Sequence, residues 1–258
     1  MNVLELQKGI IYGPITSRRL GRSLGINLLP TDRKLCSFDC VYCQYGPTFG
    51  STLSPAEEPF PTGDEVLRAV EAALRAHPDI DYITFSGNGE PTLHPDFPAI
   101  ASAVRRLRDE IRPGAQLATF SNSTTVHLPR IKEALTIFDA PIMKLDAGDP
   151  ETLAAVNRPA PGVRLERIIV GLRDIPNLVI QSVLVDGRVT NIEGQAFEAW
   201  LVALSEIRPT RIQIYSTDRP VAEAGVETVP PATLRRIAAE IDRHTGLQVD
   251  AYWARTRT

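Results

Sequence analysis

The sequence predicts an α/β fold, a partial (β/α)6 barrel of parallel strands with helices outside. Short apolar runs alternate with amphipathic segments about six times along the chain, which is typical of parallel strands joined by right-handed helical crossovers. The length of 258 residues, 43% of them apolar, suits one barrel-type domain better than two independent domains. Because six strand–helix units are too few to close an eight-stranded barrel, we expect the barrel to stay open.

Six apolar runs are predicted to form the strands. They span residues 24–29, 82–86, 117–121, 142–145, 178–185 and 211–215. Between these runs, apolar residues recur three or four positions apart, as Val66, Val70 and Leu74 do, and this spacing predicts amphipathic helices.

Local signals mark several helix starts. Thr62 with Glu65, and Thr190 with Glu193, fit the capping box, in which the two side chains bind backbone N–H groups of the first helical turn. Proline suits the first turn because it has no N–H group to leave unpaired. Two prolines are predicted at such positions, Pro150 and Pro231.

The whole chain, residues 1–258, is predicted to be a single domain. Residues 1–23 form an N-terminal extension, residues 24–215 the barrel core, and residues 216–258 a C-terminal helix and tail. Residues 44–62 are rich in Gly, Pro, Ser and Thr, and this composition predicts a long loop over one end of the barrel.

Charge and hydropathy narrow the function classes. The formal net charge of -3 disfavours a general nucleic-acid binder or a membrane-surface binder, because both need a basic excess. The N-terminal residues lack a secretory signal pattern, and no apolar stretch reaches the roughly 18 residues of a membrane span. We therefore expect a cytoplasmic protein with no membrane partner.

The three cysteines of the chain lie together in the loop after the first predicted strand. Cys36, Cys40 and Cys43 form the pattern CxxxCxxC. Three thiolates can hold three irons of a cubane cluster and leave the fourth without a protein ligand, whereas ferredoxin-type clusters and structural zinc sites use four protein ligands. A zinc site completed by a histidine and a set of buried structural cysteines are the alternatives, but no histidine lies beside this loop. The pattern favours an iron–sulfur cluster with one open iron.

The cysteine pattern resembles the signature of the radical S-adenosylmethionine (SAM) superfamily, which has an aromatic residue, here Tyr42, just before the last cysteine. The resemblance covers most of the chain and implies a [4Fe–4S] cluster on the three cysteines, with SAM chelated by the open iron. It also implies reductive cleavage of SAM to methionine and a 5′-deoxyadenosyl radical that abstracts a substrate hydrogen. Tyr42 is then a cofactor-binding residue, and the protein's task is to orient SAM and substrate.

A second motif follows the second predicted strand. Gly87, Asn88, Gly89 and Glu90 (the Gly87–Glu90 segment) resemble the superfamily's Gly-Gly-Glu motif with Asn88 inserted. Glycines let the backbone approach a ligand closely, and a carboxylate there accepts hydrogen bonds from the methionyl ammonium of SAM. An ordinary Gly-Asn-Gly turn is the alternative. His94, a few residues further on, is predicted to make local hydrogen bonds rather than to act as a base.

Further site residues are expected where strands end, because parallel barrels place their active sites at the carboxyl ends of strands. The third and fourth predicted strands end near Asn122 and Asp146, and the resemblance implies that both contact the methionine or ribose part of SAM. Plain turn formation is the alternative for each. Lys144 is a lone lysine in an apolar strand and a candidate catalytic residue that pairs with the SAM carboxylate or with Asp146. A structural lysine whose ammonium reaches solvent is an equally open interpretation.

Residues 12–25, 42–46 and 157–159 resemble the wyosine-synthase-related (tRNA wybutosine-type) group of radical SAM Fe–S oxidoreductases. The tRNA enzymes of that group carry a second cluster on additional N-terminal cysteines, and this chain has no cysteine before Cys36. A second all-cysteine cluster is therefore excluded, and we expect a relative of the group rather than a close equivalent.

Basic residues near the cysteine loop bear on the substrate and the partner. Such groups suit a phosphate on a nucleotide, an RNA or a phosphorylated small molecule, and they equally suit docking of an acidic flavodoxin or ferredoxin that donates the electron. A solvated surface with ion pairs is the third interpretation. The alternative to SAM turnover as a whole is an iron–sulfur redox or sensor protein. The basic residues concerned are Arg18, Arg19, Arg22, Arg33, Lys34, Arg158, Arg164 and Arg167.

Overall fold

The computed structural model describes residues 3–55, 58–217, 221 and 223–253. Its strands are β1 (Ile11–Ser17), β2 (Gly21–Ile26), β3 (Tyr82–Phe85), β4 (Gln116–Ser121), β5 (Ala140–Lys144), β6 (Val179–Val183), β7 (Val185–Gly187), β8 (Arg211–Tyr215), β9 (Val226–Thr228) and β10 (Val249–Tyr252). Its α-helices are α1 (Gly63–Ala76), α2 (Phe97–Ile111), α3 (Pro129–Leu135), α4 (Pro150–Val156), α5 (Leu165–Leu172), α6 (Gly194–Ile207) and α7 (Pro231–Thr245). Residues 56–57 of the predicted loop and 254–258 of the predicted tail lie outside the described residues.

One curved, open sheet organises the molecule. Its eight strands lie in the order β1-β2-β3-β4-β5-β6-β8-β10, and within the described residues no pairing joins the two end strands. All neighbours from β2 to β10 pair in parallel, whereas β1 pairs with β2 as an antiparallel hairpin. The predicted partial barrel is confirmed, and all six predicted strands are present. The sheet also takes in β1 and β10, so it extends beyond the predicted core of residues 24–215.

The outer face of the sheet is covered by helices, and the main apolar core lies between the two layers. Helix α1 contributes Val66, Val70 and Leu74, which are fully buried, as their four-residue spacing predicts. Burying each such side chain stabilises the fold by about 1.5–3 kcal/mol. Phe85 of β3 packs edge-to-face on Phe97 of α2, with 5.8 Å between the ring centroids.

Helix starts match the sequence in three of four cases. Thr62 Oγ1 accepts the Glu65 N–H at 3.3 Å while the Glu65 carboxylate accepts the Thr62 N–H at 2.8 Å, which completes the predicted capping box. Pro150 and Pro231 open α4 and α7, also as predicted. The capping box at Thr190 is wrong: helix α6 begins at Gly194, and its N-cap, residue 193, makes no side-chain hydrogen bond.

The segment before α6 is bound to the sheet, for a reason that the sequence does not show. Asn191 is buried there, and its side-chain amide donates to the backbone oxygens of Asp146 and Val183, both at 2.9 Å. Its side-chain oxygen accepts the Val185 N–H at 2.9 Å. These hydrogen bonds link the end of β5 to the end of β6. The segment therefore stabilises the sheet and does not cap helix α6.

The inner face of the sheet is closed at its base by the β1–β2 turn. Leu20 of that turn packs with Ala118 of β4, Ile142 of β5 and Val179 of β6 in a small apolar cluster. Polar and aromatic side chains stand on the same face nearer the carboxyl ends of the strands. We call this concave space the lumen. Across the described part of the chain, none of the helices is long and apolar enough to cross a membrane.

Candidate functional site

A cavity of about 210 Å³ opens at the carboxyl ends of the parallel strands. Two predicted site residues, Asn88 and Asp146, do not line it. The other nine do: Cys36, Cys40, Cys43, Tyr42, Gly87, Gly89, Glu90, Asn122 and Lys144. Four chain segments that are far apart in sequence therefore meet in one place, as the carboxyl ends of parallel strands predict.

The cysteine loop is anchored to the Gly87–Glu90 segment by the backbone. The Leu35 N–H donates to the Asn88 carbonyl at 2.9 Å, and the Glu90 N–H donates to the Leu35 carbonyl at 3.0 Å. This short parallel bridge places Cys36 at the mouth of the lumen. Further along, the Cys43 N–H donates to the Cys40 carbonyl at 3.0 Å, which forms a tight turn between the second and third cysteines.

Each cysteine sulfur has a nitrogen donor within hydrogen-bond distance. Asn122 Nδ2 lies 3.4 Å from Cys36 Sγ, Asn157 Nδ2 lies 3.3 Å from Cys40 Sγ, and Lys34 Nζ lies 3.0 Å from Cys43 Sγ. Such donors stabilise thiolates, which are the metal-binding form of cysteine. The donor set is therefore suited to holding negative sulfur ligands.

Burial acts against ionisation of the free thiols. It raises the pKa of Cys36 to about 12 and the pKa of Cys40 to about 11. Metal binding displaces such protons, so affinity for a metal group rises with pH. Within the described ranges, no group of three or more His, Cys, Asp or Glu side chains could hold a metal ion. In a cubane cluster, by contrast, each thiolate binds a different iron.

The two glycines of the Gly87–Glu90 segment allow chain segments to approach each other. Gly89 has a φ of 145°, and a Cβ atom there would lie 1.7 Å from the carbonyl oxygen of Leu35. Gly87 has a φ of 126°, and its Cβ would lie 2.5 Å from Asn27 Oδ1. Packing within the protein itself therefore requires glycine at both positions, whereas the predicted reason was close approach to a ligand.

Asn88 points away from the cavity and holds the N-terminal segment. It is fully buried, and its side-chain amide donates to the carbonyls of Gln7 at 2.9 Å and Pro30 at 2.8 Å. Its side-chain oxygen accepts the Gln7 N–H at 2.7 Å. The inserted residue thus fastens residues near the N-terminus over the Gly87–Glu90 segment.

Glu90 is buried, and its carboxylate joins two strand ends. One oxygen accepts the Thr92 N–H at 3.0 Å and the Thr92 hydroxyl, and the other accepts the Asn122 N–H. Burial raises the pKa of Glu90 above its ordinary value, although these hydrogen bonds oppose the shift. The Asn122 side chain in turn donates to Ser37 Oγ at 2.9 Å, so this network continues into the cysteine loop.

Asp146 supports the other side of the cysteine loop. Its Oδ2 accepts the Tyr42 hydroxyl and, at 2.7 Å, the Asn157 side-chain amide; its Oδ1 accepts the Val183 N–H at 2.8 Å. Burial and the nearby Asp146 carboxylate raise the pKa of Tyr42 well above its ordinary value. Asn157 also contacts Cys40, so sequence reasoning missed a site residue. Its only signal was membership of residues 157–159, which carry the family resemblance.

Lys144 extends from β5 into the cavity. Its Nζ is buried without a hydrogen-bond partner and lies 3.7 Å from Asp146 Oδ1 and 5.2 Å from the centre of the Tyr42 ring. Burial lowers the pKa of Lys144, but Asp146 together with Tyr215 and Cys40 outweighs this effect, so the pKa is raised above its ordinary value. The interpretation of Lys144 as a lysine that extends to solvent is therefore wrong, and pairing with Asp146 is confirmed.

Several predicted phosphate-binding arginines are engaged elsewhere. Arg158 pairs with Glu223 at 3.0 Å, Arg22 lies 3.6 Å from Asp79, and Arg33 pairs with Asp32 at 2.9 Å. Arg19 differs from these three residues because its guanidinium lies in the lumen. Arg18, Arg164 and Arg167 are exposed.

The histidine nearest to the site in sequence has a structural environment. His94 is buried, its Nδ1 accepts the Asp96 N–H at 3.0 Å, and its Nε2 donates to the Pro61 carbonyl at 2.9 Å. Burial lowers the pKa of His94. The prediction of local hydrogen bonding is confirmed, and a neutral ring with both nitrogens engaged is not placed to serve as a fourth metal ligand.

Residues 34–189 match the Radical SAM superfamily, and this range contains all three cysteines and the Gly87–Glu90 segment. The chain belongs to the radical SAM superfamily. Membership implies an enzyme, and it implies an iron–sulfur cluster and SAM as cofactors. The assignment made from CxxxCxxC is thereby confirmed at the level of the superfamily.

Relatives in other organisms extend over most of the chain. A UPF0026 protein from Synechocystis sp. is 35% identical over 212 residues, which are 81% of this chain and 76% of the relative. A UPF0026 protein from Methanocaldococcus jannaschii is 30% identical over 236 residues, 89% of this chain and 70% of the relative. A protein named GTPase Obg from Brachyspira hyodysenteriae is 24% identical over 249 residues, but the chain spans only 35% of its length.

Two solved structures share the fold. TYW1 with a lysine–pyruvate adduct bound superposes with a TM-score of 0.61 at 14% identity, covering 86% of this chain and 73% of that one. Streptococcus suis SuiB bound to S-adenosylmethionine gives 0.61 at 16% identity, covering 89% of this chain and 50% of that one. At such identities the similarity establishes the partial-barrel fold alone.

Proposed function

We propose that the chain cleaves SAM reductively at a [4Fe–4S] cluster held by Cys36, Cys40 and Cys43, and that it abstracts hydrogen from a nucleotide-like or phosphorylated substrate. The observation that carries the proposal is the cavity in which all three thiols and the Gly87–Glu90 segment meet. A three-thiolate set leaves one iron free for SAM, whereas a closed four-ligand set suits electron transfer alone.

The residues present fit such a cluster. Each sulfur has its own nitrogen donor, and hydrogen bonds to cluster sulfurs adjust the reduction potential. When bound, the cluster supplies the electron that cleaves SAM to methionine and a 5′-deoxyadenosyl radical. The chain's own residues hold the thiols in place: Asn122 fixes Cys36, Asn157 fixes Cys40, and the Lys34 ammonium offsets negative charge at Cys43.

Glu90 and Lys144 present opposite charges to the same cavity. The Glu90 carboxylate suits the methionyl ammonium of SAM, which supports a role in orienting SAM, whereas the Lys144 ammonium suits an anionic group of the substrate. Asn122 is positioned to contact SAM from the cavity wall. Asp146 does not line the cavity, so we assign it a positioning role through Tyr42 and Lys144 rather than a direct contact with the ribose.

The finer placement in the wyosine-related group is part of the proposal. The stretches at residues 12–25, 42–46 and 157–159 support it. A flavodoxin or ferredoxin is the proposed electron donor, since reductive cleavage of SAM requires an external electron. A nucleotide, an RNA or a phosphorylated small molecule is the proposed substrate, and the lumen is its proposed binding place.

Anaerobic reconstitution tests the proposal. The protein should take up about four irons per chain, and the reduced form should slowly release 5′-deoxyadenosine from SAM. Replacing Cys36, Cys40 or Cys43 by alanine should abolish both, whereas Ser54→Ala, an exposed change in the neighbouring loop, should alter neither. Stoichiometric zinc without iron would refute the cluster. A bound cluster with no SAM cleavage would instead favour a redox or sensor protein.

A further inference from the structure

Two cations approach the same aromatic ring inside the lumen. Arg19 Cζ lies 4.5 Å from the centre of the Tyr215 ring, and Lys144 Nζ lies 5.8 Å from it. Arg19 also lies 5.9 Å from the centre of the Phe120 ring. Four elements meet here, namely the β1–β2 turn, β4, β5 and the end of β8, so the fold assembles this cluster from distant parts of the chain. The ring faces attract both cations.

The positive charges of Arg19 and Lys144 outnumber the negative charge of the one carboxylate, Asp146, that lies beside Lys144. Asp146 Oδ1 lies 3.7 Å from Lys144 Nζ, but the same carboxylate also accepts bonds from Tyr42, Asn157 and Val183. Lys144 Nζ is buried without a hydrogen bond. Lys144 thus relies on one carboxylate that already accepts three other hydrogen bonds, and a further anion beside Lys144 and Arg19 would balance the charge.

Arg19 has hydrogen-bonding capacity to spare. Its backbone N–H binds Ser17 Oγ, but its guanidinium makes no hydrogen bond or ion pair with any residue in the described part of the chain. The side chain is half-buried, so its donors are accessible from the lumen. A guanidinium held over a ring by its face keeps its edge free for a bidentate contact with an oxyanion.

The surroundings hold the ring in position. The Tyr215 hydroxyl donates to Gln181 Oε1 at 3.3 Å, and Gln181 Nε2 donates to Gln213 Oε1 at 3.0 Å. Gln181 and Lys144 line the cavity that the cysteines also line. A ligand bound between Arg19 and Lys144 would therefore lie beside the proposed cluster and SAM site, where a substrate must be for hydrogen abstraction.

We propose that Arg19 and Lys144 form a subsite for an oxyanion of the substrate, a carboxylate or a phosphate, in the lumen. The inference rests on the proposed function, which it makes more specific: the substrate is an anion recognised inside the half-barrel. Arg158, Arg22 and Arg33, which also suggested phosphate binding in the sequence, are ion-paired and take no part in it.

Calorimetric titration of the reconstituted, SAM-loaded protein with inorganic phosphate and with acetate tests this subsite. Arg19→Ala and Lys144→Met should each weaken binding at least about tenfold, because each removes a charge-assisted contact with the anion. Arg19→Lys keeps the charge without the planar fork, so its affinity should be intermediate. Arg68→Ala removes an exposed arginine on the outer helix α1 and should bind both anions as the wild type does.

Unchanged affinity in Arg19→Ala and Lys144→Met would overturn the subsite, and so would failure of the wild type to bind either anion. Tighter binding of phosphate than of acetate supports a phosphorylated substrate, and the reverse order supports a carboxylate. Release of 5′-deoxyadenosine by the wild type is measured separately. Its absence would refute SAM turnover, whereas the titrations alone decide whether the oxyanion subsite exists.

Discussion

Replacing Glu90 by glutamine should weaken both the fold and the binding of SAM. Glu90 is 1% exposed, and its carboxylate accepts hydrogen bonds from the backbone N–H groups of Thr92 and Asn122 and from the Thr92 hydroxyl. Glutamine retains one oxygen that can accept from Thr92, but its amide nitrogen then faces the Asn122 N–H. One buried backbone donor is left without an acceptor.

The size of the effect follows from counting these donors. One unsatisfied buried N–H costs about 1–3 kcal/mol, so Glu90→Gln should lower the free energy of unfolding by about 2 kcal/mol. Glu90→Ala leaves the N–H groups of both Thr92 and Asn122 without an acceptor and creates a void, so it should lower the free energy of unfolding by about 4 kcal/mol. Urea unfolding of each variant measures both values.

Thr92→Val is the matched control for SAM binding. Thr92 shares the Glu90 network but does not line the cavity, so its loss should cost about 1 kcal/mol of stability and leave SAM affinity unchanged. Glu90→Gln should weaken SAM binding at least about tenfold while iron content stays intact, because an ionic acceptor for the methionyl ammonium is lost. SAM affinity equal to that of the wild type would show that the Gly87–Glu90 segment does not bind SAM. Unchanged unfolding would show that the network does not stabilise the strand ends.

Two further outcomes follow from the geometry. Gly89→Ala should lower the free energy of unfolding by more than about 3 kcal/mol and reduce iron uptake, since its Cβ would lie 1.7 Å from the Leu35 oxygen. The control is Gly50→Ala, which has a φ of 73° but no atom within 4 Å of its Cβ and should cost only about 1 kcal/mol. Equal losses of stability in urea unfolding would contradict this reasoning. The second outcome concerns His94, whose pKa is lowered in the folded state. Its contribution to the free energy of unfolding is therefore complete above the ordinary pKa of 6.5 and is lost as the pH falls through the folded-state pKa. The difference in the free energy of unfolding between wild type and His94→Gln should shrink from about pH 7.5 to about pH 5, and a constant difference would argue against a neutral buried ring.

The strands that sequence predicted and those it missed differ in burial. Strand β6 is buried along its whole length, so its apolar run is continuous. Strand β1 lies at the sheet edge, has no buried residue and contains Gly13 and Pro14, which argue against a strand except at an edge. Strand β10, at the other edge, is short and half-buried throughout. Edge strands lack the two-sided burial on which an apolar pattern depends.

The sequence predicted the cysteines of the site, because their spacing is typical of metal ligands. It did not predict the asparagines whose side-chain amides hold neighbouring residues in place. The cysteines were found by spacing alone. Asn157 was missed because its contacts, to Cys40 at 3.3 Å and to Asp146 at 2.7 Å, cross 117 and 11 positions of the sequence. Asn88 was placed in the cofactor site, but its amide binds the chain near Gln7. An asparagine side chain has no preferred partner, so only the fold decides its role.

The lumen shows why substrate recognition is the least predictable part of this chain. The side chains that line it depend on which residues of each strand face inwards and on the position of the β1–β2 turn at the base of the sheet. Leu20 closes the base of the half-barrel, and this contact brings the adjacent Arg19 beside Tyr215 of β8, almost 200 residues later in the sequence. In the sequence, Arg19 is one of several arginines near the cysteine loop. In the fold it differs from the ion-paired Arg22 and Arg158 because its guanidinium faces the lumen, beside the cavity of the cysteines.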